Sequence, residues 1–369
     1  MTESEALFPV EPLIVSADLP AVGGQVGPDP EDFVVDELPR YQPVGKGDHL
    51  WVCVRKRGRT TPELVQAVAR AAGVRERDVG HAGMKDKHGV TSQWVSLPAG
   101  GRAPDAWRLP DDLQVLQQVR HTHKLRTGQL NGNRFRIRLV GVAPDAHERA
   151  AAIGERLRTS GLPNFFGIQR FGRGSENLRQ AVQWLQQGAP QRGRKTRLIR
   201  KLYPSVVQAE VFNRVLRLRL QRHALDTLLT GDVVRLDGSR SVFVVEDAAV
   251  ESPRLLAGEL HVTGPIIGPK MKQPSAEPAA IEAAALRSVE LGDEALAELG
   301  KLADGTRRDL SIRVDSLDIR ELGPGQLGLD FVLPPGAYAT QLVRELTHGD
   351  WHAPGARRLP ASTPSQPAG

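Results

Sequence analysis

The sequence predicts an α+β fold, with a mixed core assembled from the two ends of the chain and a largely helical insertion between them. Three observations predict it. β-prone stretches occupy much of the chain before residue 141 and return near residue 330, the middle carries helical periodicity, and the late β stretch leads into a helix as an early one does. At 369 residues, 40% of them apolar, the chain is long enough for two lobes and can bury a sizeable core.

Taken in order, Phe33 to Val35 opens a β-prone stretch, and His49 to Lys56 (HLWVCVRK) holds a short unbroken apolar run rich in Val and Trp, as a buried strand does. A helix of about three turns follows. Thr61 precedes Pro62 at its start, Leu64, Val65, Val68 and Ala72 recur on one face, and Gly73 supplies the stop. Gln93 to Leu97 reads as a strand. Arg134 to Val140 alternates, with Phe135, Ile137 and Leu139 on a buried face and arginines on a wet one. His147 to Ser160 turns helical and ends at Gly161, and Asn177 to Gln187 and Ser205 to His223 are further amphipathic helices. Asp232 to Glu246 is β-prone, Glu277 to Ala303 is an Ala- and Glu-rich helical region, and Leu329 to Leu333 is a strand. It runs through Pro334, Pro335 and Gly336 into a helix containing Leu342, Val343 and Leu346, for which Thr340 is the expected N-cap. No short internal repeat is present.

Lys and Arg total 49 against 43 Asp and Glu, a formal charge of +6. The excess is clustered. Gln191 to Lys201 (QRGRKTRLIRK), Arg120 to Arg126 (RHTHKLR) and Asn131 to Arg136 (NGNRFR) contain no acid, and the last two flank an expected turn at Gly128. A solvated loop has the same composition, but an aromatic ring among arginines is stacking chemistry suited to RNA. The single cysteine, Cys53, excludes an intramolecular disulfide and a multi-Cys metal site, and its expected role is packing. The opening MTESEALFPVEPLIV is acidic where a signal peptide needs basic residues, and no run approaches about 18 apolar residues. The expectation is a cytoplasmic protein with no membrane partner. No HExxH pattern, Cys/His ligand spacing or GxxxxGK[ST] loop appears, so neither a metal nor a nucleotide is indicated.

The most unusual segment is His81 to Leu97, HAGMKDKHGVTSQWVSL. Asp86 sits between Lys85 and Lys87, with Gly83 and Gly89 to either side. Flanking lysines favour the carboxylate anion, and an anion in a glycine-bounded loop is able to act as a nucleophile. The same residues also suit an aspartate that merely starts a turn before a strand.

Here the chain resembles a known family. Ala82 to His88, with Val90-Thr91 and Gln93-Trp94, is similar to the catalytic segment of the TruD pseudouridine synthases. Pro30 to Val35 (PEDFVV), Lys124 to Arg126 with Gly132 to Phe135, and Pro163 to Gly167 with Gln169 to Gly172 resemble further family elements in order. So do Ser205, Gln208, Phe212 and Asn213, and Leu333-Pro334 with Gly336, Tyr338, Ala339, Thr340 and Arg344. The resemblance spans roughly residues 22 to 350.

The resemblance implies a pseudouridine synthase catalytic core over 22–160 and 313–350 and a TruD insertion over 161–312, and the Pro-, Ser-, Ala- and Gly-rich composition of 351–369 predicts a disordered tail. The resemblance implies isomerisation of uridine thirteen in the D-arm of tRNA, without cofactor; the sequence does not show oligomeric state, and a monomer is the default expectation. Asp86 would be the nucleophile, and Phe33, Asn133 and Tyr338 would contact the substrate. Phe135 would support that site or pack in the core, Asn164 would brace the active loop or cap a helix, and Gln169 and Arg170 would reach RNA. Arg344 would meet a phosphate, Asp86 or solvent. Many relatives carry a basic residue shortly before Pro-Glu-Asp-Phe, where this chain has GQVGPDPEDF. The cationic partner of Asp86 is therefore open among Lys85, Lys87 and a distant arginine.

Overall fold

A computed structural model describes residues 9–85, 87–172, 175–190 and 196–349, without the side chains of 196 and 197. Elements are numbered along the chain. The chain divides into two compact units, one of Ala21–Ala150, Ser316–Pro335 and Leu346–Gly369, the other of Met1–Pro20, Ala151–Asp315 and Gly336–Glu345.

The first unit is built on a nine-stranded sheet. Its strands are β1 (Gly23–Val26), β2 (Phe33–Pro39), β3 (His49–Arg57), β4 (Gly80–His81), β5 (Val90–Pro98), β6 (Leu113–His121) and β7 (Leu130–Val142), joined by β14 (Leu317–Gly323) and β15 (Gln326–Leu333). The order is β14-β15-β7-β2-β5-β3-β6, with β1 on β7 and β4 on β5. β2 and β5 run parallel, and the other paired strands are antiparallel. Two distant parts of the chain thus make one sheet, as the two-ended core requires. The alternation of β7 does what the sequence suggests: Phe135, Ile137 and Leu139 are buried while Arg134, Arg136 and Arg138 reach acids on the other face.

Helix α1 (Thr61–Ala72) covers the sheet. Leu64, Val68 and Ala72 pack with Val52, Val54, Val95, Leu97 and Trp107. The helix is capped one residue earlier than expected, by Thr60 in a capping box with Glu63, because Thr61 turns inward with no exposure. Gly73 ends it at φ 71°. Cys53 is buried beside Trp51 and Trp94, and burial first, then Glu37, pushes its thiol up to about 12, as suits a packing residue.

The second unit holds most of α2 (Ala146–Ser160) and α8 (Ala339–Thr347), with α3 (Glu176–Gln186), α4 (Thr196–Arg222), α5 (Ala248–Leu256), α6 (Ala276–Arg287) and α7 (Gly292–Leu302). It also contains sheet structure. β9 (Val233–Leu236), β10 (Val242–Val244), β11 (Leu260–Ile266) and β12 (Thr306–Asp309) form a four-stranded sheet in the order β10-β9-β11-β12, and β8 (Leu162–Pro163) pairs with β13 (Ser311–Ile312). Helix α4 starts before the expected Ser205 and continues through Pro204, because its apolar stripe packs on two sides. Val206, Val207 and Val211 meet α3 and α7, whereas Phe212 and Leu216 meet Val234, Val262 and Leu310. Thr340 lies inside α8 with its hydroxyl buried and unbonded, so it is not the N-cap; Tyr338 precedes the helix and its carbonyl accepts from Gln341 N.

Candidate active site

The loop between β4 and β5 is held from beneath by side chains of three elements. Gln93 Nε2, on β5, donates to Gly83 O at 2.7 Å, and His81 Nδ1 donates to the same carbonyl at 3.1 Å, which requires the ring proton on Nδ1. Gln93 Oε1 accepts from Thr61 Oγ1 at 3.0 Å, and Thr61 Oγ1 accepts from Lys85 N at 2.9 Å. At the far end Gly89 has φ 96°, and a Cβ there would lie 2.3 Å from Phe33 O, so only glycine lets the loop close onto β2. Asp86 itself lies outside the described residues.

Lys85 is turned inward. Its Nζ lies 2.5 Å from Glu37 Oε2, with the two side chains 6% and 0% exposed, and Glu37 Oε1 also accepts from Trp94 N at 3.2 Å. Lys87 and His88 are exposed. The loop therefore commits one of its two lysines to an internal carboxylate and leaves the other in solvent. Glu37 escaped the reading of the motifs, although the signal was there: on β2 it follows Phe33 and Val35 at period two and so falls on the buried face.

Asn133 stands opposite Glu37 in the β2–β7 register and opposite Leu333 in the β7–β15 register. Its Oδ1 is buried without a hydrogen-bond partner among the described residues, an uncommon state for an amide. Phe33 is 2% exposed and lies 6.1 Å from the Phe135 ring, which stacks at 5.3 Å on Phe331. The structure thus brings Lys85, Asn133, Phe33 and Phe135 together on one sheet.

The remaining candidates belong to the second unit. Tyr338 is half-buried, with its ring 6.3 Å from that of Phe166. Asn164 Nδ2 donates to Asp309 O at 2.8 Å, and Asn164 Oδ1 accepts from Arg308 Nη2, so Asn164 braces β12 rather than capping a helix. Gln169 is exposed and Arg170 half-buried on a short 3-10 helix, Ile168–Phe171. Arg344 pairs with Glu11 at 2.6 Å. Of the basic runs, residues 191–195 lie outside the described residues, while Gly128 turns between β6 and β7 at φ 88°. Residues 350–369, where the tail was expected, also lie outside them. Among the described residues no helix is long and apolar enough to cross a membrane, and no group of three or more His, Cys, Asp or Glu could hold a metal ion.

These features define a class: an α+β core closed by strands from two distant chain segments, with a Lys-Asp-Lys loop docked on its central strands and a large insertion. The same fold occurs in a crystal structure from Methanosarcina mazei described as tRNA pseudouridine synthase D, with a TM-score of 0.70 over 92% of this chain and 96% of that one at 23% identity. The chain belongs to the TruD family: the family model "tRNA pseudouridine synthase D (TruD)" matches residues 11–196 and 192–346. Relatives named tRNA pseudouridine synthase D include one from Anaeromyxobacter dehalogenans, 41% identical over 92% of this chain and 97% of its own length. One from Thermus thermophilus is 36% identical over 90% and 91%. One from Pseudomonas putida is 39% identical over 94% and 96%.

Proposed function

We propose that the chain is an isomerase acting on tRNA, a pseudouridine synthase that converts uridine thirteen of the D-arm, with Asp86 as nucleophile. Family membership supports the reaction class, and the observation that carries the site is the docking of the Asp86 loop by Lys85–Glu37 and Thr61–Gln93–Gly83. A nucleophile acts best when its backbone is held before the substrate arrives, and a buried ion pair beside it does that. On this reading residues 22–160 and 313–350 form the catalytic core, 161–312 the insertion, and the enzyme works as a cytoplasmic monomer.

The Asp86 carboxylate attacks ribose C1′ or uracil C6, the N1–C1′ bond breaks, the base turns, a C5–C1′ bond forms, and the carboxylate is released, displaced from C1′ by C5 or eliminated from C6. The proton lost from C5 is balanced by one gained at N1, so the reaction consumes nothing. The target base has to leave its stack first, and its edge must then be read by a polar group. Asn133 suits that task because its Oδ1 has no partner among the described residues and accepts an N–H from uracil. Of the two rings expected against the base, Tyr338 is the more accessible, and Phe33 acts from beneath the loop.

The test is pseudouridine mapping on an unmodified tRNA bearing uridine thirteen, incubated with wild type and with Asp86→Asn, without added cofactor. Conversion by wild type and none by the variant is expected. A wild type that binds the RNA and changes no uridine would make the chain an RNA-binding protein instead, and conversion at a different uridine would move the substrate site.

A further inference from the structure

Strand β12 carries three consecutive charged residues with different fates. Arg307 pairs with Glu282 at 2.6 Å, and Asp309 pairs with Arg235 at 2.7 Å. Between them Arg308 has no carboxylate among the described residues. Its three hydrogen bonds all come from Nη2 and go to uncharged oxygens: the backbone and side-chain oxygens of Asn164, and Gly336 O. Among the described residues its Nε is buried with no partner and Nη1 makes no bond. The guanidinium lies 4.2 Å over the Phe166 ring.

A cation largely withdrawn from water without a paired carboxylate is costly, and the same unit answers its buried Arg219 with Asp232. Burial lowers the Arg308 guanidinium to about 10 against the raising effects of Tyr338 and Asp309, and the charge of Arg170 adds to the lowering. Arg170 repeats the pattern: its Nε is buried and unbonded, and it has no carboxylate partner among the described residues. A guanidinium seated on an aromatic ring and held by neutral oxygens, with a second arginine close enough to act on its charge, is able to receive an anion.

We propose that Arg308 and Arg170 form a phosphodiester-binding site for the RNA backbone, with Arg308 Nη1 as the principal donor. The proposal rests on the tRNA reading above and adds to it a site in the second unit. Asn164 and Phe166 are positioning residues: the amide and the ring fix the guanidinium plane, leaving Nη1 for the ligand. Contacts of this kind set the register of an RNA and carry no base specificity.

The test is the affinity of wild type, Arg308→Gln and Arg170→Gln for unmodified tRNA across a series of salt concentrations, with thermal melting to confirm folding. A lost phosphate contact reduces the slope of log K against log salt by about 0.7 to 0.9. That reduction is expected in each variant, with binding weakened about tenfold at low salt. An unchanged slope in both variants, whatever the affinity, overturns the proposal, because a purely structural arginine releases no counterion. Should Arg308→Gln fail to fold, Arg170→Gln decides alone by the same slope. Wild-type conversion, measured alongside, separates the outcomes: activity with unchanged slopes removes only this site, whereas no binding or conversion by wild type removes the tRNA reading as well.

Discussion

Lys85 and Glu37 form an ion pair of 2.5 Å in which neither side chain is more than 6% exposed. It joins the residue just before Asp86 to a strand that is remote in sequence and adjacent in the sheet, and it faces Asn133 across the β2–β7 register. The pair fixes the loop at its most important end.

Removing one partner leaves a buried charge uncompensated, so Glu37→Gln is expected to lower stability by about 3 to 5 kcal/mol. The double variant Glu37→Met, Lys85→Met removes both charges and is expected to regain most of that loss while conversion stays low, because the loop has lost its tether. Chemical denaturation and conversion assays check this. A double variant as unstable as the single one would show that the pair does more than neutralise itself.

Asn133→Ala is expected to separate activity from stability. Its Oδ1 makes no hydrogen bond among the described residues, so truncation there removes little and even relieves an unsatisfied acceptor. If the amide reads the uracil edge, kcat/KM falls about tenfold to a hundredfold with Tm nearly unchanged. A parallel fall in Tm and kcat/KM would make Asn133 a structural residue.

The pH dependence of stability has a source in the second unit. Burial raises the Glu345 carboxyl above its ordinary 4.5, against the lowering effect of bonds from Ser16 and Val15. A raised folded value means the folded protein keeps a proton that the unfolded chain releases. The stability this confers is present below the ordinary value and declines as pH rises through the folded one. Glu345→Gln is expected to flatten that decline between acid and neutral pH in melting curves. If the variant and wild type run parallel, Glu345 does not titrate differently in the two states.

What the sequence determined by itself was local or carried by contiguous motifs. The strand at Arg134 to Val140, the helices ending at Gly73 and Gly161, and the turn at Gly128 follow from periodicity and from residues acting on their own backbone. The family resemblance, which singled out Asp86, Asn133 and Tyr338, rests on such strings. The tertiary structure decided the pairings between distant segments. Lys85 meets Glu37 only because β2 lies parallel to β5, and Arg308 has no carboxylate partner among the described residues while its β12 neighbours pair with Glu282 and Arg235. Charge type is written in the sequence; whether a charge is answered depends on which strand comes to lie beside it.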